Sequence, residues 1–145
     1  MKSIFSIEQF QSRLKAKGLK ATPQRISVHQ AMLELGHASA EQLCAYIRER
    51  GLAAISEASV YNTLNWLSKI GIYSQRMSRN NKLYFDVNTR PHIHLYDRVN
   101  HNFLEIQDDN AIALLEKYFR GRRWRGYRFE GFDISLICRP SSRKK

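Results

Sequence analysis

Cysteine is nearly missing from this 145-residue chain, which has only Cys44 and Cys138, far apart and without a CxxC spacing. That excludes a disulfide framework and a four-cysteine structural zinc site, and leaves both residues as small apolar side chains for a core. Long apolar runs are missing too. No stretch reaches the roughly 20 residues that a spanning helix needs, and the opening MKSIFSIEQFQSRLKAK has neither a long apolar centre nor a small-residue cleavage pattern. A cytoplasmic protein with no membrane partner is the expectation. Phosphate-cradling glycine loops, a nucleophile elbow and internal repeats are likewise not found. An enzyme is therefore not expected. Acidic residues are scarce, 13 Asp and Glu against 24 Lys and Arg, and the net charge of +11 is spread over both halves of the chain. Such a surface favours a polyanionic partner, with nucleic acid ahead of an anionic membrane.

What is present reads first as helices. Thr22-Pro23-Gln24-Arg25 has a capping hydroxyl followed by a proline at the first helical position, and Val28, Ala31, Met32 and Leu35 follow at helical spacing. Ser39 and Gln42 form a capping-box pair before Leu43, Cys44 and Ile47, with Gly51 as the stop. A third helix is expected from Ser56 to Gly71, with Val60, Leu64 and Leu67 inward and Ala58, Tyr61, Asn62, Asn65 and Lys69 on the opposite face.

Beyond Gly71 the period changes. IYSQRM, a Ser-Arg-Asn-Asn turn and KLYFDV predict a hairpin in which Leu83, Phe85 and Val87 alternate with Lys82, Tyr84 and Asp86. Three short helices and a hairpin with a basic turn is the order of a winged helix-turn-helix, whose last helix enters the major groove. A turn-rich joint at 89–91 then separates residues 1–88 from 92–145. In the second part HIHLY and HNFLEI predict two strands. Asp108 to Arg120 predicts a helix with Ile112, Leu115 and Phe119 on one side, and Phe132, Ile134, Leu136 and Cys138 an alternating last strand. Only the terminal SSRKK reads as disordered.

The strongest chemical signal is His92-Ile93-His94. Residues i and i+2 of a strand share a face about 7 Å apart, so two imidazoles can converge on one metal while Ile93 faces the core. Asp86, Glu105 and His37, at the ends of neighbouring elements, would complete three nitrogens and two carboxylates, a set suited to Fe(II), Mn(II) or Zn(II). An HxH alone is more often a pair of ordinary strand residues, and spacing alone does not bring His37 to the others. Tyr61, Asn62 and Asn65 can reach bases or phosphates, and Lys69, Arg76, Arg79 and Lys82 can pair with phosphates. A solvated helix face and charged turn is the plainer alternative for each taken singly. GRRWRGYR, residues 121–128, sets arginines beside aromatics, a pattern open to base stacking but more often a turn whose Trp124 and Tyr127 pack into a core or dimer seam.

The runs GLKATPQR, HASAEQL, ASVYNTLNWLSKIGI and YFDVNTRPHIHL together resemble the ferric uptake regulator (Fur) superfamily, including its peroxide-sensing PerR branch, over nearly the whole chain. The resemblance implies an α+β protein, an N-terminal winged helix-turn-helix DNA-binding domain (1–88), a hinge (89–91) and a C-terminal α/β dimerisation and metal-binding domain (92–145). It implies a regulatory metal site of His37, Asp86, His92, His94 and Glu105, holding one divalent metal per subunit. It also implies a DNA-contacting set of Lys20, Arg25, Ser59, Tyr61, Asn62, Asn65, Lys69, Arg79 and Lys82. Relatives usually carry a CxxC pair after the HxH strand and often another near the C-terminus. Here Asp97 and Asn100 stand in the first pair's places and only Cys138, followed by Ser141, in the second, so the dimer must rest on apolar packing, with Trp124, Phe129 and Phe132 as candidates. Glu105 resembles the iron sensors, and Asn62 the peroxide branch.

The expected function is a homodimeric transcriptional regulator, a repressor, that binds a duplex DNA operator in response to Fe(II) or another divalent metal and to peroxide. The alternatives are a metal-independent nucleic-acid-binding protein and a metal-dependent hydrolase using the same cluster.

Overall fold

In a computed structural model, residues 5–52, 54–89 and 92–142 are described. Arg90 and Pro91 of the expected hinge, and residues 143–145 of the terminal run, lie outside them. The chain divides into two units, Met1–Thr89 and Arg90–Lys145.

The first unit contains α1 (Ile7–Ala16), α2 (Pro23–Leu35), β1 (His37–Ser39), α3 (Ala40–Arg50), α4 (Glu57–Lys69), β2 (Ser74–Met77) and β3 (Leu83–Asp86). Each helix begins on a side chain that accepts a backbone N–H: Ser6, Thr22, Ser39 and Ser56 in turn. Such a cap contributes about 1 kcal/mol and fixes where the helix starts. At Ser6–Gln9 and Ser39–Gln42 the glutamine side chain also returns to the cap's own N–H, completing the capping box. Gly51 closes α3 in the left-handed region, at φ 63°.

Two expectations are corrected here. Four helices, not three, precede the hairpin: α1 buries Phe10 and Leu14 against the same core as Val28, Met32, Leu43, Ile47, Val60, Leu64 and Leu67. Ser6 with Gln9, and Ile7, Phe10 and Leu14 at helical spacing, are the local signals that mark this helix in the sequence. The hairpin is also part of a three-stranded antiparallel sheet in the order β1-β3-β2. Tyr84, Phe85 and Asp86 of β3 and the adjoining Val87 are all buried, so both faces of the strand are covered and the expected alternation fails.

The second unit contains β4 (His92–Asp97), β5 (Asn102–Ile106), α5 (Asp109–Arg120) and β6 (Asp133–Cys138). Asp108 caps α5, accepting the Ala111 N–H. The sheet order is β5-β4-β6, with β4 antiparallel to β5 and parallel to β6. Ile106-Ile93-Ile134 and Leu104-Leu95-Leu136 form two apolar rows in register across one face. The other face of β4 carries His92, His94 and Tyr96, all buried.

Candidate metal centre and nucleic-acid face

Strand geometry builds the histidine cluster. His92 and His94 lie on one face of β4 with ring centroids 4.1 Å apart in an edge-on arrangement, and His94 also meets the Phe103 ring edge-on at 6.0 Å. Glu105 is the register partner of His94 on β5, so its carboxylate stands on the same face. His92, His94 and Glu105 each offer a ligand atom within 4.8 Å of the others. Two imidazoles and a carboxylate at this spacing fit a divalent transition metal. On the parallel neighbour β6, Asp133 Oδ1 lies 3.4 Å from His94 Nδ1. Sequence reasoning missed Asp133, because only the parallel β4–β6 pairing brings it to the histidines.

In the first unit, His37 and Asp86 are directly opposed across β1 and β3, so the fold brings these two expected ligands onto one sheet face. Asp86 is buried. Its Oδ2 accepts from Arg76 Nη2 at 3.4 Å, and its Oδ1 accepts the Asn88 N–H at 2.8 Å. This corrects the reading of Arg76 as a phosphate contact: the side chain is buried in an ion pair. Nothing in the period of SQRM distinguishes it from a surface arginine.

Asp97 and Asn100 form a hydrogen-bonded turn. Asp97 Oδ1 accepts the N–H groups of Val99 and Asn100, its Oδ2 accepts the Asn100 side-chain amide, and Arg98 N–H reaches the Cys138 carbonyl. The side-chain hydrogen bond from Asn100, with its backbone N–H next, lowers the Asp97 pKa from the usual carboxylate value. Cys138 is only partly buried, whereas Cys44 is buried as expected, with Sγ 3.8 Å from the Ile55 carbonyl.

On the helical side, Asn62 and Lys69 are exposed on α4, as are Lys20 and Arg79 on their loops. Tyr61 is half-exposed and rests edge-on against Phe85 at 6.3 Å. Other members of the expected DNA-contacting set are engaged within the unit. Arg25 stacks over Trp66 at 4.0 Å and donates to the Lys20 carbonyl, and Ser59 bonds the cap residue Ser56. Asn65 accepts from Gln75, and Lys82 lies 3.5 Å from Glu41.

The ferric uptake regulator family profile matches residues 16–130. Among solved structures, the Vibrio cholerae ferric uptake regulator is similar at 25% identity, with 90% of this chain and 99% of that one covered and a TM-score of 0.74. The Pseudomonas aeruginosa ferric uptake regulator, solved with manganese, matches at 23% identity over 90% and 97% of the two chains, with a TM-score of 0.71. The Campylobacter jejuni peroxide stress regulator matches at 20% over 97% and 100%, with a TM-score of 0.68. No curated protein matches the chain.

Proposed function

The chain belongs to the ferric uptake regulator family, whose members are metal-responsive transcription regulators and not enzymes, and from that premise we propose that it is a cytoplasmic homodimeric repressor. It binds a duplex operator through α4 when one Fe(II), Mn(II) or Zn(II) is held in each subunit. The observation that carries this reading is the convergence of His92, His94 and Glu105 on one face of the second unit's sheet. We assign the remaining ligands to the first unit, where His37 and Asp86 face each other. A divalent ion held by these side chains would supply ligand bonds to them, and would shift the protein between conformations only by its differential affinity for them.

The protein's own groups prepare the site. Asp133 takes up Nδ1 of His94, which leaves Nε2 to ligate and holds the ring's orientation. Arg76 and the Asn88 N–H hold the Asp86 carboxylate in a fixed orientation.

The test is anaerobic purification with elemental analysis, followed by titration of operator duplexes with and without metal. One metal per subunit and metal-dependent, sequence-selective binding is expected. Equal affinity for unrelated duplexes regardless of metal would favour charge-driven nucleic-acid packaging instead. For the peroxide response, treated Fe(II) protein should gain an oxygen atom on the peptide carrying His37 or on the one carrying His92 and His94. Unchanged peptide masses would remove peroxide as a signal.

A further inference from the structure

We infer that the arginine-rich turn following α5 binds a nucleotide, either as a free nucleoside polyphosphate or as one unit of a single nucleic-acid strand. The turn is built tightly. Trp124 and Tyr127 face each other as an isolated antiparallel bridge, the Tyr127 N–H donates to the Trp124 carbonyl at 2.9 Å, and Gly126 takes the left-handed φ of 80° that the tip requires. Residues 121–128 are all exposed, and the segment walls an open bowl of about 700 Å³.

Arg120, Arg122, Arg123, Arg125 and Arg128 line the bowl. Arg120 pairs with Glu116 at 2.8 Å, and Arg122 lies over the Tyr118 and Trp124 rings at 5.3 and 5.9 Å. Among the described residues no carboxylate lies within ion-pair distance of Arg123, Arg125 or Arg128. The C-terminal end of α5 offsets only about half a charge. Three guanidinium groups on so short a turn repel one another, and an anion relieves that repulsion.

The aromatic rings narrow the choice of anion. Tyr127 is 83% exposed and Trp124 42% exposed beside these charges. A simple oxyanion would satisfy the guanidinium groups and leave the rings in water, whereas an apolar segment would cover the rings and bury unpaired charge. A nucleotide meets both demands, with phosphate oxygens on the planar arginine forks and the base against an aromatic face. The bowl also falls within the roughly 300–1,000 Å³ of small-ligand clefts. The inference uses no residue of the metal centre or of α4, so it stands apart from the operator reading.

Trp124 reports the event directly, with Trp66 the only other tryptophan. Full-chain protein is titrated with ATP, inorganic tripolyphosphate and a thymidine oligonucleotide of about a dozen units, while tryptophan emission is followed. Quenching by ATP or by the oligonucleotide is expected, the tighter of the two naming the source, with no optical change in Trp124→Phe. Combined Arg123→Ala, Arg125→Ala and Arg128→Ala should weaken binding by at least about tenfold, and Lys15→Ala, at an exposed position of α1, should not alter it. The matching triple change to Lys keeps the charge and, should the alanine variant misfold, is read in its place, with a several-fold loss expected. The inference is overturned if tripolyphosphate binds as tightly as ATP or if the folded arginine variants keep full affinity. It is equally overturned if those variants only turn the dimer into monomers while no nucleotide quenches the wild type.

Discussion

His29 is a fully buried histidine whose two nitrogens are both committed. The Phe5 carbonyl can only accept, so Nε2 carries the proton and donates at 2.6 Å, and Nδ1 accepts from the Tyr73 hydroxyl at 2.8 Å. Burial raises the Tyr73 pKa well above 10.0, which keeps that hydroxyl a donor. The Phe10 ring stacks on the imidazole at 4.3 Å. Burial holds the His29 pKa below 6.5, outweighing the backbone bonds to Phe5 and Ser6 that act the other way. Below 6.5 the unfolded chain therefore takes up a proton that the folded chain refuses. Stability is full above 6.5 and falls as the pH drops from there toward the folded pKa. Thermal melts of chelator-treated protein should show a falling Tm over this range and a flatter profile in His29→Gln. Parallel profiles would mean that His29 does not carry the linkage. His94 is also fully buried, so His94→Gln is a better probe of ligation than alanine, which would open a cavity against Phe103. Loss of bound metal and of metal-dependent operator binding is expected, with the circular dichroism retained, and unchanged metal affinity would take the HxH strand out of the site.

At the scale of elements, α4 is expected to separate two kinds of contact, base-reading by Tyr61 and Asn62 and phosphate-pairing by Lys69. Asn62→Ala should relax discrimination between specific and scrambled duplexes by about 1–3 kcal/mol, while Lys69→Ala should weaken all duplexes alike and reduce the salt slope by about one unit. Titrations at several salt concentrations measure both, and full discrimination in Asn62→Ala would remove the helix as reader. Elements of this kind were legible because caps and stops are local: Thr22, Ser39, Ser56 and Asp108 each begin the helix that the sequence announced. The HxH strand was legible for the same reason, its two-residue period being a property of the strand alone. Illegible were the relations set by pairing between strands. The Arg76–Asp86 pair depends on two strands lying side by side, and the Asp133–His94 contact on β6 running parallel to β4. No periodicity within a strand reports its neighbours.

At the scale of the whole molecule, the two units differ in how much core they own. The first has a continuous set of buried residues from Phe10 to Val87, whereas among the described residues of the second only Ile93, Tyr96 and Phe103 are buried apolar side chains, and no residue of α5 is buried. A unit of this size with so small a core is marginal alone and gains stability by covering apolar surface against a partner. The uncovered surface is extensive. Leu104 is 57% exposed and Leu136 48% on one face of the sheet, and Leu114 71% and Tyr118 57% on α5. Exposure on this scale marks an association face, and a second copy of the chain is the partner expected from the family. With Cys44 and Cys138 the only cysteines in the sequence and Asp97 and Asn100 forming a hydrogen-bonded turn, the seam is expected to rest on apolar packing. Chelators and thiol reagents should therefore leave the dimer intact by light scattering, and the Tm should rise with protein concentration because assembly stabilises the folded state by mass action. Leu136→Asp, which sets a charge into the apolar row Leu104-Leu95-Leu136, should yield monomers with a concentration-independent Tm. Dissociation by chelator alone would instead assign the seam to a metal, and an undisturbed dimer in Leu136→Asp would move it off this face of the sheet.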